Sequence, residues 1–551
     1  VLSDGNFNLN SGGGNISVSG TITSAGIDET LTLTDGGASG SITLGGAATS
    51  GSVTLVGAGG VSLGGNLTAS NTASAGTVSI TGPVTLTQNV VIDADQHADT
   101  TVTLSSSVDG AKTFEIDTNA GAIAIQGAIG ETTALTSLTI NSDGAGTIEV
   151  ANIGDGSGVG VSGATAIGNT STTTLTLDGT VYKTTGAQVY TATGGDNIDI
   201  TNTSNAAFTT TNTAITFGTA NIELADGVDL TLDSGAGAGN ITLVSIDGHS
   251  SEAVTIDAGT GTTSVGAIGA GTEIGAVTIG SSDNGTITLN GAITTTGAVS
   301  LDGPVSLATG AITVDSSAGD AAINFLHTID GAQNLTLSSG SGAVDVNGII
   351  GSTTAIGTLT VNASGTGTIA IEQIGDGDPA SGSLGATIGN TGTTSVTFDG
   401  TEYTMNGATT VTAQSGDSII FSGGGATTFT TSNDAITFGT GTVQLSDAAD
   451  LTITSANGAV SVASVGGTTS EDITINAGTG TLAVGAIGNA DEINTVTLTG
   501  STITLSGDIT TSNAANNNVD INGAVVISGA VDIDTDTCLL YTSPSPRDRT
   551  R

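Results

Sequence analysis

Between one corner rich in Gly, Asn, Asp or Ser and the next, this chain carries short runs in which an apolar residue alternates with Thr or Ser. TLTLT at 30–34, TVSI at 77–80, NLTL at 334–337, AVDV at 343–346 and LTIT at 451–454 are examples. Period two, β-branched residues and flanking Gly predict strands with one buried face. A one-faced strand this short buries too little surface to stand alone. Stacking like strands on one another solves the problem, because the core becomes a continuous column. Similar runs return roughly every 20–25 residues, the length of a solenoid coil. No segment has sustained 3.6 periodicity with caps, so helix should be nearly absent. The expected fold is an all-β parallel β-helix, or β-solenoid, with right-handed coils because parallel crossovers favour that hand.

A longer period lies over the short one. TAITFGT at 213–219 returns as DAITFGT at 434–440, 221 residues on, and Pro83/Pro304, Asp109/Asp330, Asp155/Asp376, Asn169/Asn390 and Tyr182/Tyr403 keep the same offset. The expected organisation is the end of an incomplete copy at 1–81, copies at 82–302 and 303–523, and the start of another at 524–537. On this reading the chain is a fragment of something longer. A copy of this length makes about ten coils, and the body would stack to roughly 110–130 Å at ~4.8 Å per coil. Within the copies a smaller element appears four times: Ile129/Leu135/Leu138/Ile140, Ile268/Ile274/Val277/Ile279, Ile350/Ile356/Leu359/Val361 and Ile487/Ile493/Val496/Leu498. Its apolar spacing holds while the residues between drift, as inward positions of a stacked coil should.

The last fourteen residues, CLLYTSPSPRDRTR at 538–551, break these trends. They hold the single Cys and three of the five basic residues, and no Gly. CLLYTSPSPRD looks like one reading frame of a transposase-type sequencing adapter, so the tail is set aside as non-native. With one Cys there is no intrachain disulfide.

Composition narrows the partners. Against 50 acidic residues stand five basic ones, and Lys112 and Lys183 are the only two before position 546. Such a surface repels phosphate backbones and anionic headgroups, so nucleic-acid and membrane-surface roles fall away. No apolar stretch of about 18 residues is present to insert into a membrane. Zero Trp and 2% aromatic residues argue against tandem immunoglobulin-like sandwiches, and a mean hydropathy of +0.25 argues against disorder.

The repeats resemble those of filamentous-haemagglutinin-like, β-strand-repeat surface proteins of bacteria. The IG-plus-Thr element with its [LV]-T-[IV] strand and TTGAQVY at 184–190 carry the resemblance; the second copy departs to MNGATTV at 405–411. The resemblance implies a secreted or cell-surface adhesin or stalk, with host, matrix or self-association contacts.

Catalysis finds little footing. His97, His249 and His327 have no counterparts one repeat away, no metal-binding spacing links them, and the body has no Arg to serve a β-helix enzyme acting on acidic polysaccharides. The loops IGDGSG at 153–158 and IGDGDP at 374–379 place Asp155 and Asp376 between glycines and Asp378 between Gly377 and Pro379. Carboxylate and backbone oxygens together suit a hard cation, so these three are the candidates for weak surface Ca²⁺ binding, although a plain structural turn is the preferred reading. No other cofactor is expected. Tyr182 and Tyr403 read as local packing rather than a sugar platform. Outward TxT arrays such as TTTNT at 209–213 could match a crystal lattice, though Thr outside and Val inside is what any solenoid strand shows. The expected function is a non-enzymatic structural shaft. The alternatives are a solenoid face that binds carbohydrate, a Ca²⁺-dependent ligand or an ice or crystal surface, and, third, a polysaccharide-acting enzyme.

Overall fold

The computed structural model describes residues 5–249, 251–280, 285–376, 381–468, 470–489, 491–512 and 518–535. The Ca²⁺ candidate Asp378 and the tail at 538–551 lie outside these. The chain divides into two units, Val1–Ala321 with Phe325–His327, and Ala322–Asn324 with Thr328–Arg551. Each is a parallel β-solenoid, about 21 turns in all. The helical element among the described residues is a single 3-10 turn, Ser317–Gly319.

The predicted alternation sets the layers. In Thr30–Thr34, Leu31 and Leu33 are fully buried while the threonines face out. Leu31 and Leu33 sit in register over Val53 and Leu55, these over Val78 and Ile80, and these over Val102 and Leu104. The core of the first unit is built from such columns, and the second repeats the pattern, with Leu451 and Ile453 over Ile473 and Ile475, and these over Val496 and Leu498. All sixteen apolar positions of the fourfold element are 0–1% exposed.

Two devices hold one coil on the next. Corner asparagines accept a backbone N–H from one coil further on: Asn66 Oδ1 from Val91 (3.1 Å), Asn152 Oδ1 from Thr180 (2.7 Å), Asn240 Oδ1 from Thr262 (2.9 Å) and Asn334 Oδ1 from Thr358 (2.9 Å). A side chain thereby satisfies a donor that the sheet ladder leaves unpaired at the bend. The second device is the glycine that follows the first apolar position of the fourfold element. Gly130, Gly269, Gly351 and Gly488 have φ of +69°, +69°, +70° and +69°. A Cβ there would lie 1.9–2.2 Å from a carbonyl oxygen of the neighbouring coil, so both conformation and space require glycine.

Candidate functional site

Outward positions are where a solenoid meets a ligand. Asp155 lies in the turn after the bridge residue Ile153. Its Oδ1 accepts from the Ser157 N–H (2.8 Å), the Ser157 hydroxyl (3.0 Å) and the Gly158 N–H. These bonds, that of Gly158 foremost, hold the carboxyl below its ordinary value. One oxygen of the candidate is thus spent on closing its own turn. In the second copy the Asp376 N–H donates to Ser381 Oγ (3.0 Å). Among the described residues no group of three or more His, Cys, Asp or Glu side chains is arranged to hold a metal.

The histidines sit apart. His97 Nδ1 accepts from the Asp99 N–H (3.2 Å), His249 Nδ1 lies 3.0 Å from Leu224 O, and His327 Nε2 lies 3.1 Å from Asp302 Oδ1. None of the three meets another. Tyr182 and Tyr403 are fully buried, as the packing reading expects. Each hydroxyl accepts from the backbone N–H three residues before it, Gly179 and Gly400, both at 2.8 Å. A ring held inside the coil cannot stack on a sugar.

Sequence reasoning missed a set of sunken glutamates. Glu29, Glu252 and Glu471 are 7%, 0% and 0% exposed. Glu252 accepts from the N–H groups of Gly227 (2.9 Å), His249 (2.6 Å) and Ser251 (3.2 Å), and from the Ser251 hydroxyl (2.9 Å). Glu471 accepts from the N–H groups of Ala448 (3.2 Å) and Thr468 (2.5 Å) and from the Thr468 and Ser470 hydroxyls (2.6 and 2.7 Å). Glu29 repeats the arrangement with the N–H groups of Gly5 and Ala25, both at 3.0 Å. Burial by itself would raise the Glu252 and Glu471 carboxyls. The hydrogen bonds outweigh it and bring both down to about 2. The available signal was positional: SDG at 3–5, ADG at 225–227 and SDA at 446–448 each precede a Glu by 23–25 residues, one coil.

The outward face of the first unit carries two acidic ladders. Asp199, Glu223 and Asp247 stand in register on successive coils, and Asp93 stands over Asp117. Burial, then the charges of Asp143, Asp95, Glu115 and Asp93, push Asp117 up to about 6. The second copy has Ser338, Ile420 and Gln444 where the first has Asp117, Asp199 and Glu223. A shallow groove of about 390 Å³ on the second unit is lined by Glu402, Thr404, Asn406, Thr428, Thr430 and Ser432, among others. The matching residues of the first copy are Val181, Lys183, Thr185, Ala207, Thr209 and Thr211. The acid of the groove and the acids of the ladder are not repeated at the corresponding places, whereas the Thr430 and Ser432 hydroxyls are matched by Thr209 and Thr211.

No helix among the described residues is long and apolar enough to cross a membrane. In comparisons with known proteins, no family model, no curated protein and no solved structure matches this chain.

Proposed function

We propose that this chain is a structural shaft, part of a large secreted or surface-anchored bacterial protein of the filamentous-haemagglutinin-like kind, whose work is to carry an adhesive or anchoring element rather than to bind or catalyse along its own body. One observation carries the reading. Inward positions keep their character from copy to copy, with all sixteen residues of the fourfold element buried, while the outward charges Asp117, Asp199 and Glu223 give way to Ser338, Ile420 and Gln444. A binding or catalytic face would hold one outward cluster in common between copies. The acid at Glu402 is Val181 in the first copy, and the ladder residue Glu223 is Gln444 in the second.

The test is a binding panel. The purified chain is offered neutral and acidic glycans and matrix proteins, with and without Ca²⁺, and is assayed for turnover of acidic polysaccharides. A shaft gives neither saturable binding nor turnover. Saturable binding that Thr404→Lys abolishes would transfer the function to the groove, and turnover would make the protein an enzyme.

A further inference from the structure

Each sunken glutamate is one half of a reciprocal clasp between two coils. Glu252 accepts from the Gly227 N–H of the preceding coil (2.9 Å). In return, Asp229 of that coil accepts from the N–H of Ala253, the residue after the glutamate (2.8 Å). The second copy repeats both halves. Glu471 accepts from the Ala448 N–H (3.2 Å) and Asp450 from the Asp472 N–H (2.9 Å), and the Ser470 hydroxyl adds a bond to Asp447 (3.3 Å). In the first, incomplete copy Glu29 accepts from the Gly5 N–H, and Asn6 Oδ1 takes the place of the aspartate, accepting from the Thr30 N–H (both 3.0 Å). The following coil closes over the carboxylate. A Cβ at Gly248 would lie 2.8 Å from both Glu252 Oε2 and Ile274 Cδ1, and one at Gly467 2.7 Å from Glu471 Oε2 and 2.6 Å from Ile493 Cδ1. Three successive coils therefore meet at Glu252 and again at Glu471.

Other side-chain joints between coils are simpler. A corner asparagine such as Asn240 offers the next coil one neutral acceptor. Asp109 and Asp330 each take two N–H groups of the next coil, but from one side only and within reach of water. Charge contacts exposed to water contribute little. In a clasp the acceptors face both ways across one pair of coils, and the glutamate is buried. Hydrogen bonds to a charged group are about twice as strong as neutral ones, and a buried carboxylate stripped of a donor is costly. Unlike the outward acids, the clasp recurs in every copy: Glu29 and Glu252 are 223 residues apart, and Glu252 and Glu471 are 219 apart. A coil in a solenoid touches only its neighbours, so tension undoes the stack coil by coil. Where two neighbours are held more firmly, the undoing pauses.

We propose that the clasps at Glu29, Glu252 and Glu471 are mechanical stops, at which unravelling of the pulled chain pauses once in every copy of the repeat. Once a clasp gives way, the coils beyond it come apart until the next clasp is reached. The purpose of the device rests on the shaft reading: a shaft between an anchor and an adhesive element carries tension, and stops let it lengthen in stages. The stops themselves follow from the clasps alone. The binding panel above decides the shaft and a force measurement decides the stops, so either can fail while the other stands.

The experiment stretches the 551-residue chain between handles at its two ends in an optical trap held at constant force, where the rate of unfolding is what is read. The intact chain is expected to lengthen with pauses about 70–80 nm apart, the reach of about 220 extended residues, and not in uniform steps of one coil. The double variant Glu252→Gln with Asp229→Asn exchanges both carboxylates of one clasp for amides of the same shape. It is expected to shorten the pause at that clasp by about ten-fold or more and to leave the others as they were. Asp109→Asn, the same exchange at a one-sided joint of the same unit, is expected to leave every pause unchanged. Circular dichroism confirms folding. If the double variant misfolds, Asp229→Asn alone serves as the second probe and is expected to shorten the same pause by about three-fold or more. Uniform coil-by-coil lengthening of the intact chain, pauses at other spacings, a pause that survives the loss of its clasp, or an equal effect from Asp109→Asn would each overturn the proposal.

Discussion

The aromatic clusters of the two copies occupy the same coils but fill them differently. In the first, Tyr182 stacks on Phe208 (ring centroids 4.3 Å apart) and Tyr190 on Phe217 (4.9 Å). In the second, Tyr403 stacks on Phe429 (6.0 Å) and Phe398 on Phe421 (4.9 Å). One column is common to both. The other has moved: the place of Tyr190 is taken by Val411, and the places of Phe398 and Phe421 are held in the first copy by Leu177 and Ile200. Each stacked pair consists of residues in direct register on neighbouring coils. Bulk removed from one column is therefore returned in an adjacent one, and the coil keeps its filling. The polar partner travels with the ring. Tyr190 donates its hydroxyl to buried Gln188 Oε1 (3.1 Å), and the second copy has Thr409 at that place beside Val411, which needs no partner. The lesson is that selection on this chain acts on the volume and polarity balance of a coil, not on a residue at a position.

The strongest way to break that comparison is to transplant half of it. Tyr190→Val alone leaves a cavity and an unpaired amide oxygen on Gln188, and should destabilise the first unit by about 3–4 kcal/mol. Adding Leu177→Phe and Ile200→Phe supplies the bulk that the second copy uses, and should return at least half of the loss. Denaturant unfolding of the single and triple variants reads the difference. A triple variant less stable than the single one would show that the columns do not compensate.

The sunken glutamates sharpen the comparison through pH. Glu252→Gln or Glu471→Gln replaces a charged acceptor of several hydrogen bonds and should cost about 2–3 kcal/mol, seen as faster amide exchange around Gly227 or Ala448. The sign follows from the direction of the shift. With folded values near 2 against an ordinary 4.5, both carboxylates stabilise their units fully above about 4.5, and the contribution is lost as pH falls toward 2. Asp117 acts in the opposite sense. Raised to about 6 from 3.8, it adds stability to the first unit as pH falls through that window. The second copy has Ser338 there. The first unit should accordingly be most stable between about pH 4.5 and 6, and the second should only weaken on acidification. Amide exchange followed separately in each unit from pH 7 to 3 checks this; identical profiles would remove the role given to Asp117.

The fold was legible because its cause is local. Leu31, Leu33, Val53 and Leu55 face inward for the same period-two reason that the sequence displays, and the glycine of the fourfold element marks its own bend. The chemistry of single side chains was much less legible. Asp155 sits in a loop of cation-binding composition, yet its oxygen is occupied by N–H groups two and three residues on, a geometry that composition does not reveal. Glu252 looks like a solvated acid beside two serines. Its burial depends on the Gly227 N–H, a full coil earlier in the chain, and the repeat offset slips from 221 to 219 before Glu471, which hides the match.

The smallest predicted effect comes from two backbone positions. Gly227 and Gly235 have φ of +76° and +82°; the second copy has Ala448 and Ala456 there, with φ of +63° and +51°. The left-handed region costs a residue with a Cβ about 1 kcal/mol more than glycine. Ala448→Gly should therefore stabilise the second unit by about 0.5–1 kcal/mol after the added freedom of the unfolded glycine is deducted. Gly227→Ala should destabilise the first by a similar amount, because no atom lies within 4 Å of the added Cβ and strain is the only cost. The Ala448 N–H also reaches Glu471 at 3.2 Å, longer than the 2.9 Å from Gly227 to Glu252, so relief of the strain should let that bond shorten and slow local amide exchange. Opposite signs for the two substitutions would mark the left-handed corner as the element that each copy must build. A loss of stability in both would mean that Ala448 is held by packing its methyl group, and that the two corners are not equivalent.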